Sequence, residues 1–366
     1  MNRIILIGNG FDLAHGLDTK YTDFIDDFWI KKLNTFSDSL KNDSLKRISD
    51  YNNSNKDIGN YTDNDISVHV KDYQYILQSA EIVEAETGFQ TFRNFISHFR
   101  PYTFQSNYEF NNLFLGQISG KQQLQKWVDI EEEYYSALLK CLENEKDIRK
   151  LNEDFKQIQI LLQIYLSEQI KKKVSLNRNI EKNMYSPLLQ TDFIEDIKEN
   201  KLDKICFLNF NYTSTIKTYS DCRKDVKTIN IHGQINNPNN PIIFGYGDEM
   251  DDNYKKIEKE NNDFLKYVKS FMYSRTNNYK ELLAFINSDV YQVYIMGLSC
   301  STSDRTLLST LFGHKHCKSI KIFYYNKNSI ENNYLDIYMN ISRNFINKEK
   351  MRELVVSFEN SIPLIN

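Results

Sequence analysis

Ile4-Ile5-Leu6-Ile7-Gly8-Asn9-Gly10-Phe11-Asp12 is the stretch in which the fold of this chain is decided. Four apolar residues in a row read as a strand buried on both faces, because a strand with one wet face would alternate. The glycines then read as a tight turn. At such a turn a backbone without Cβ atoms can approach a ligand phosphate, and the N-terminus of the next helix supplies free N–H donors. Gly8, Asn9, Gly10 and Phe11, with Gly16 further on, are therefore candidate dinucleotide-binding residues. A dehydrogenase fingerprint would need a third glycine, where Leu13 stands, and an acidic residue about 20 residues later at the end of a second strand. Neither is present, and two glycines in a tight turn serve a purely structural reading equally well.

Outward from this turn, Asp18 and Thr19 can cap a helix in which Tyr21, Phe24, Phe28, Trp29 and Leu33 recur at helical spacing. Residues 41–66 are polar and read as a mobile loop. Residues 67–200 carry helical periodicity without a clear strand. Strand-like runs then return at Ile205–Leu208, Thr228–Ile231, Ile242–Phe244, Val290–Met296, Ile320–Tyr325 and Leu354–Phe358, with helical stretches between several of them. The expectation is an α/β fold: residues 1–40 and 201–366 form a domain around a parallel sheet, and residues 41–200 form the loop and a large α-helical insertion.

Composition narrows the function. The 366 residues are 40% hydrophobic and 13% aromatic, so the chain can bury a sizeable core. A net charge of -3 offers no general attraction to a phosphate backbone, which disfavours nucleic acid as a partner. The five cysteines are scattered and form no C-x-x-C pair, as expected of reduced thiols with no structural zinc. The apolar run before Gly8 is too short for a signal peptide or a membrane span, so a cytoplasmic protein without a membrane partner is expected. A homo-oligomer is compatible with the sequence.

Three further strand ends are polar. Leu208-Asn209-Phe210-Asn211-Tyr212-Thr213 follows a buried strand at the edge where α/β sheets bind ligands, and Asn211 could hold a ribose hydroxyl or a water. A helix cap is the competing role for Asn209 or Asn211. In Ile229-Asn230-Ile231-His232-Gly233, the histidine can act as a general base near neutral pH, although a lone histidine is more often structural. In Met296-Gly297-Leu298-Ser299-Cys300-Ser301-Thr302-Ser303-Asp304, Gly297, Ser299, Ser303, Asp304 and a helix start could bind ribose or phosphate oxygens. An esterase elbow would need a glycine where Ser301 stands. The acidic run Glu131-Glu132-Glu133 reads as a solvated helix face, and His314, His316 and Cys317 match no zinc spacing, so no metal is predicted.

The order Gly-x-Gly, then Asn-Tyr, then His-Gly, then Gly-x-Ser with a later Ser-Asp resembles the sirtuin-like nucleotide-binding fold. Ile7–Leu17, Trp127-Val128-Asp129-Ile130-Glu131 and Asn209–Thr213 in particular resemble the bacterial AbiH family. That resemblance implies a Rossmann-like parallel sheet of the sirtuin type. It also implies a role in abortive infection, in which an infected cell stops growing before phage is released. A dinucleotide, NAD, would be substrate or ligand, and the phage-derived trigger is not identified. By the same resemblance Asn211 and His232 support hydrolysis of NAD, with Asp12 stabilising developing positive charge or binding the carboxamide region. Thr213 stands where sirtuin-type sites carry an acid, and Asp12 where they carry a serine. Those departures keep open a nucleotide sensor that consumes nothing and signals through the helical insertion. A nucleic-acid-targeting toxin is a third reading.

Overall fold

The buried run at the N-terminus sits in the middle of a sheet. A computed structural model describes residues 1–48, 58–71, 108–119, 121, 127–143, 145–197, 200–220, 225–247, 253–328 and 330–365. Among these the strands are, in chain order, β1 (Asn2–Ile7), β2 (Ile58–Thr62), β3 (Ile66–Lys71), β4 (Tyr108–Phe110), β5 (Ile205–Asn209), β6 (Val226–Asn230), β7 (Tyr291–Met296), β8 (Cys317–Tyr324) and β9 (Ile362–Pro363). Six of them form one sheet in the order β6-β5-β1-β7-β8-β9, with every neighbouring pair parallel. Ile7 pairs with Asn209 on one side of β1 and with Met296 on the other. The chain runs outward from β1 through β5 to β6, then returns to the opposite side of β1 and runs out again. The strand order thus reverses at β1, the topological switch point of such a sheet.

Both faces of this sheet are covered, which is why its central strands carry apolar residues without alternation. Ile4, Leu6, Cys206, Leu208, Val293 and Ile295 share one face with Leu282, Phe285 and Ile286 from the helix Asn278–Ser288 and with Leu307, Leu308 and Leu311 from the helix Arg305–Gly313. Ile5, Ile7, Phe207, Tyr294 and Met296 share the other with Phe11, Ile180, Met184 and Tyr219. At the amino end of this second face the apolar pattern gives way to Arg3, Gln292 and Lys321, all buried. Arg3 donates to Gln292 and to the carbonyls of Met184 and Ser186, and stacks on Tyr294. Lys321 pairs with Asp192 at 2.8 Å. Lys321 is thereby paired with a carboxylate, and the Arg3 guanidinium is satisfied by neutral acceptors.

Two expected strands do not join the sheet. Ile242–Phe244 is buried but is not a strand: Ile243 N–H donates to the carbonyl of His232, while the carbonyls of Ile242 and Ile243 accept from the side chains of Gln159 and Tyr212. The run from Leu354 begins inside the helix Lys348–Leu354, because the Asn347 side chain accepts from the N–H groups of Glu349 and Lys350 and starts the helix there. Only Val355 then bridges to Ile320, and the last strand lies further on at β9.

The chain divides into two compact units. The first comprises Met1–Thr19, Glu131–Ile148 and Gln159–Asn366 and contains the parallel sheet. The second comprises Lys20–Ile130 and Arg149–Ile158, and here the expected loop at 41–66 and strand-free insertion are corrected. The helix Tyr21–Ile48 runs through the start of that loop, and β2, β3 and β4 form an antiparallel sheet. Asp63 sets the turn between β2 and β3: its side chain accepts from the N–H groups of Asp65 and Ile66. Lys32 pairs with Asp63 and Asp65. Trp29 meets Phe110 edge-on, and Asp154 caps the helix Leu113–Ser119 through the N–H groups of Leu113 and Phe114. Residues 49–57 and Cys222 lie outside the described residues.

Candidate functional site

Parallel pairing brings the ends of β1, β5, β6 and β7 to one edge of the sheet. The side chain of Asn209, last in β5, donates to Asn230 Oδ1 at 2.9 Å and to the Thr213 carbonyl, and accepts from the N–H of Asn211. This local turn aims Asn211 and Thr213 back at the first loop. Asn211 Nδ2 donates to the carbonyl of Gly8 at 3.0 Å, and Thr213 Oγ1 donates to Asp12 Oδ2 at 2.6 Å. The other carboxylate oxygen of Asp12 is buried without a hydrogen-bond partner. Burial pushes the Asp12 carboxyl up to about 6, against the Thr213 hydrogen bond and the nearby Thr215 and Asn211 side chains, which favour its charged form.

The glycines of the first loop are engaged on its opposite flank. Gly8 N–H donates to the carbonyl of Met296, Gly10 N–H to that of Gly297 at 2.8 Å, and Phe11 N–H to that of Gly8. A Cβ at Gly10 would stand 2.9 Å from the Gly297 Cα, and one at Gly297, whose φ is +79°, would stand 2.1 Å from the Phe11 nitrogen. The loops after β1 and β7 therefore touch backbone to backbone. Close approach requires these glycines, and the approach is to another part of the same chain. Gly16 also has a positive φ, but it faces open space after the short helix Asn9–Ala14.

The edge also carries a buried chain of charges. Lys269 Nζ lies between two carboxylates, 2.8 Å from Glu131 Oε2 and 3.0 Å from Asp304 Oδ1. The same Asp304 oxygen is 3.1 Å from His232 Nε2, which also lies 3.3 Å from the Tyr273 hydroxyl. Side chains of Glu131, Lys269, Asp304 and His232 are all less than a tenth exposed. Lys269 and Tyr273 are the first and last residues of one helical turn, Lys269–Tyr273, so their i and i+4 positions share a face. The turn is held by an exchange in which Tyr246 N–H donates to the Tyr267 carbonyl and Lys269 N–H to that of Tyr246. Gly245 N–H donates to the second oxygen of Glu131.

Electrostatics decides the charge states along this chain. Burial opposes ionisation of Asp304, but Lys269 and His232 outweigh it and hold the carboxyl well below the usual range. Burial likewise opposes the Lys269 ammonium, and Asp304 and Glu131 overcome it, so the lysine is raised. Glu131 is raised by burial and by the Asp304 charge, against Lys269. Such an arrangement can fix an imidazole and hold its partner carboxylate ionised.

The expected residues thus separate into groups. Asp12, Asn211 and His232 are all at this edge and buried. Gly8, Gly10, Phe11 and Gly297 build the contact between loops, while Ser303 and Asp304 belong to the charge chain, with Lys269 Nζ 3.4 Å from Ser303 Oγ. Asn9 and Ser299 are partly open; Asn9 accepts from Thr19, and the Ser299 carbonyl accepts from Asn340. The reading of Glu131 as part of a solvated face is corrected, since it is buried and paired while Glu132 is exposed. Its neighbours in helical register, Tyr134 and Tyr135, are apolar and buried, which was the available signal. Lys269 and Tyr273 were missed; only their i, i+4 spacing beside Tyr267 and Val268 hints at them.

Residues 4–326 match the family described as bacteriophage abortive infection AbiH. No curated protein and no solved structure matches the chain.

Proposed function

This chain belongs to the AbiH family of bacteriophage abortive infection, and from that premise we propose that it binds NAD at the carboxyl edge of its parallel sheet and hydrolyses the nicotinamide–ribose bond. The observation that carries this reading is that the loop after β5 holds Asp12 through Thr213 and packs Phe210 and Tyr212 on His232, the end of the Glu131–Lys269–Asp304 chain, in a sheet whose strands, counted in chain order, lie 3-2-1-4-5-6. That is the order of doubly wound, Rossmann-like sheets, which take dinucleotides at their carboxyl edge; the sirtuin type is the version proposed here. The buried, unpartnered Asp12 oxygen is a fit for a developing cation. The N–H groups of Gly8, Gly10 and Phe11 are engaged within the chain, so the pyrophosphate is assigned to the partly open Asn9 and Ser299 instead.

In the reaction the bond between ribose C1′ and the nicotinamide nitrogen breaks, and its electron pair leaves with nicotinamide. Water adds through oxygen to C1′, giving ADP-ribose, and its proton passes to His232. Asp12 faces the positive charge on the ribose in the transition state, and Asn211 holds the first loop through Gly8, keeping Asp12 in register. Oriented groups of this kind lower the barrier without a strong nucleophile. Incubation of the purified protein with NAD should release nicotinamide and ADP-ribose in equal amounts, and His232→Ala should abolish release without unfolding the chain. Unchanged release by that variant would remove His232 from the mechanism.

The second reading, a sensor that keeps its nucleotide intact, is favoured by Thr213, whose hydroxyl satisfies Asp12 where an acid would repel it. Tight binding of NAD or ADP-ribose without turnover would select it.

A further inference from the structure

We propose that Asp304, paired with Lys269, is a positioning residue that fixes His232 as its Nε2–H tautomer, so that Nδ1 is the nitrogen that receives the proton from water. The proposal deepens the hydrolase reading and rests on it for the role of His232, while its structural half stands on the geometry alone.

The argument begins with one oxygen. Asp304 Oδ1 lies 3.0 Å from Lys269 Nζ and 3.1 Å from His232 Nε2. An ionised carboxylate oxygen only accepts, so both neighbours must donate to it. An unprotonated Nε2 would set its lone pair against that oxygen between two side chains that are both largely buried, an arrangement that repels. Nε2 therefore carries the proton in the neutral ring, and the lone pair is on Nδ1. Phe210 edge-on and Tyr273 stacked fix the plane of the imidazole, with ring centroids 5.1 and 6.3 Å away.

Lys269 makes the device possible. Without a cation, burial would favour a protonated Asp304, whose hydroxyl could donate to Nε2 and reverse the tautomer. Glu131 anchors the lysine from its far side at 2.8 Å and is itself fixed by Gly245 N–H. The backbone at Gly245 tolerates no side chain, since a Cβ there would lie 2.0 Å from the Tyr267 carbonyl oxygen. The chain Glu131–Lys269–Asp304–His232 thus transmits orientation from the rigid backbone to the imidazole, as outer-layer carboxylates do for histidines that must present one chosen nitrogen.

The test is the ring nitrogen signals of His232 in the 15N-labelled full-length protein, assigned by their absence in His232→Gln, together with NAD turnover. Wild type should carry the neutral-ring proton on Nε2. Asp304→Asn, whose amide can donate to Nε2, should move that proton to Nδ1 and slow NAD cleavage by about 10²- to 10⁴-fold, the usual range for loss of a general base. A wild-type ring protonated on Nδ1 would overturn the proposal, and this reading needs no variant to fold. An Asp304→Asn protein with unchanged tautomer and turnover would overturn it as well. An Nε2–H ring in a wild-type protein that leaves NAD intact would uphold the fixed tautomer and reject the hydrolase reading instead.

Discussion

Asp12 and Asp304 are both buried carboxyls at one sheet edge, and their surroundings drive them in opposite directions. Asp304 has a lysine and a histidine; Asp12 has only hydroxyls and an amide, and one oxygen without a partner. Raised from 3.8 to about 6, the native Asp12 keeps a proton in a range where the unfolded chain has lost it. The native state then binds more protons between about pH 4 and 6, so stability falls as pH rises through that window. A shift of about two units corresponds to about 3 kcal/mol, all of it lost above pH 6. Asp12→Asn should therefore gain on wild type in urea unfolding as pH goes from 4 to 7, and a difference that does not change with pH would contradict this account. Lys269→Met leaves Glu131 and Asp304 facing each other without a cation and should cost about 3–5 kcal/mol. Lys227→Met, whose pairing with Glu281 is largely exposed, should cost no more than about 1 kcal/mol in the same unfolding experiment. His232 and Asp304 were legible because polar residues followed apolar strands. Lys269 was not, because its partners come from positions 131 and 304 and local sequence records no such distant pairing.

Among the elements, the loops after β1 and β7 are set by glycine geometry. Gly297→Ala would combine a positive φ with a Cβ 2.1 Å from backbone, and should destabilise by about 3 kcal/mol or more. Gly16→Ala meets open space at a similar φ and should cost only about 1–2 kcal/mol. Equal losses in denaturant titrations of the two variants would mean that the loops do not pack as described. The strands at Ile4–Ile7 and Ile205–Leu208 were legible since burial on both faces gives an unbroken apolar run, and Val290–Met296 because Gln292 alone interrupts one. Ile242–Phe244 has the same signature without being a strand: burial against any neighbour satisfies an apolar run, and only backbone pairing makes it part of a sheet. β2 and β3 were missed for the converse reason. Gly59, Asn60 and Ser67 give their sequences the polarity of a loop, and their pairing follows from the Asp63 turn.

At the scale of the molecule, His232 and Asp304, which follow strands of one parallel sheet, draw in Glu131 and Lys269 from distant parts of the chain, while Asp12 follows the sheet's β1. The second unit is built separately, on a long helix and an antiparallel sheet. No helix among the described residues is long and apolar enough to cross a membrane. The family joins this architecture to phage defence, and the proposed chemistry would give it a means: loss of a dinucleotide that every growing cell needs. The most direct measurement is NAD content over time in phage-infected cells expressing wild type or His232→Ala at equal protein level. The account predicts that NAD falls, with nicotinamide and ADP-ribose rising, only in cells with the wild-type chain. Steady NAD in wild-type cells that still resist the phage would contradict it.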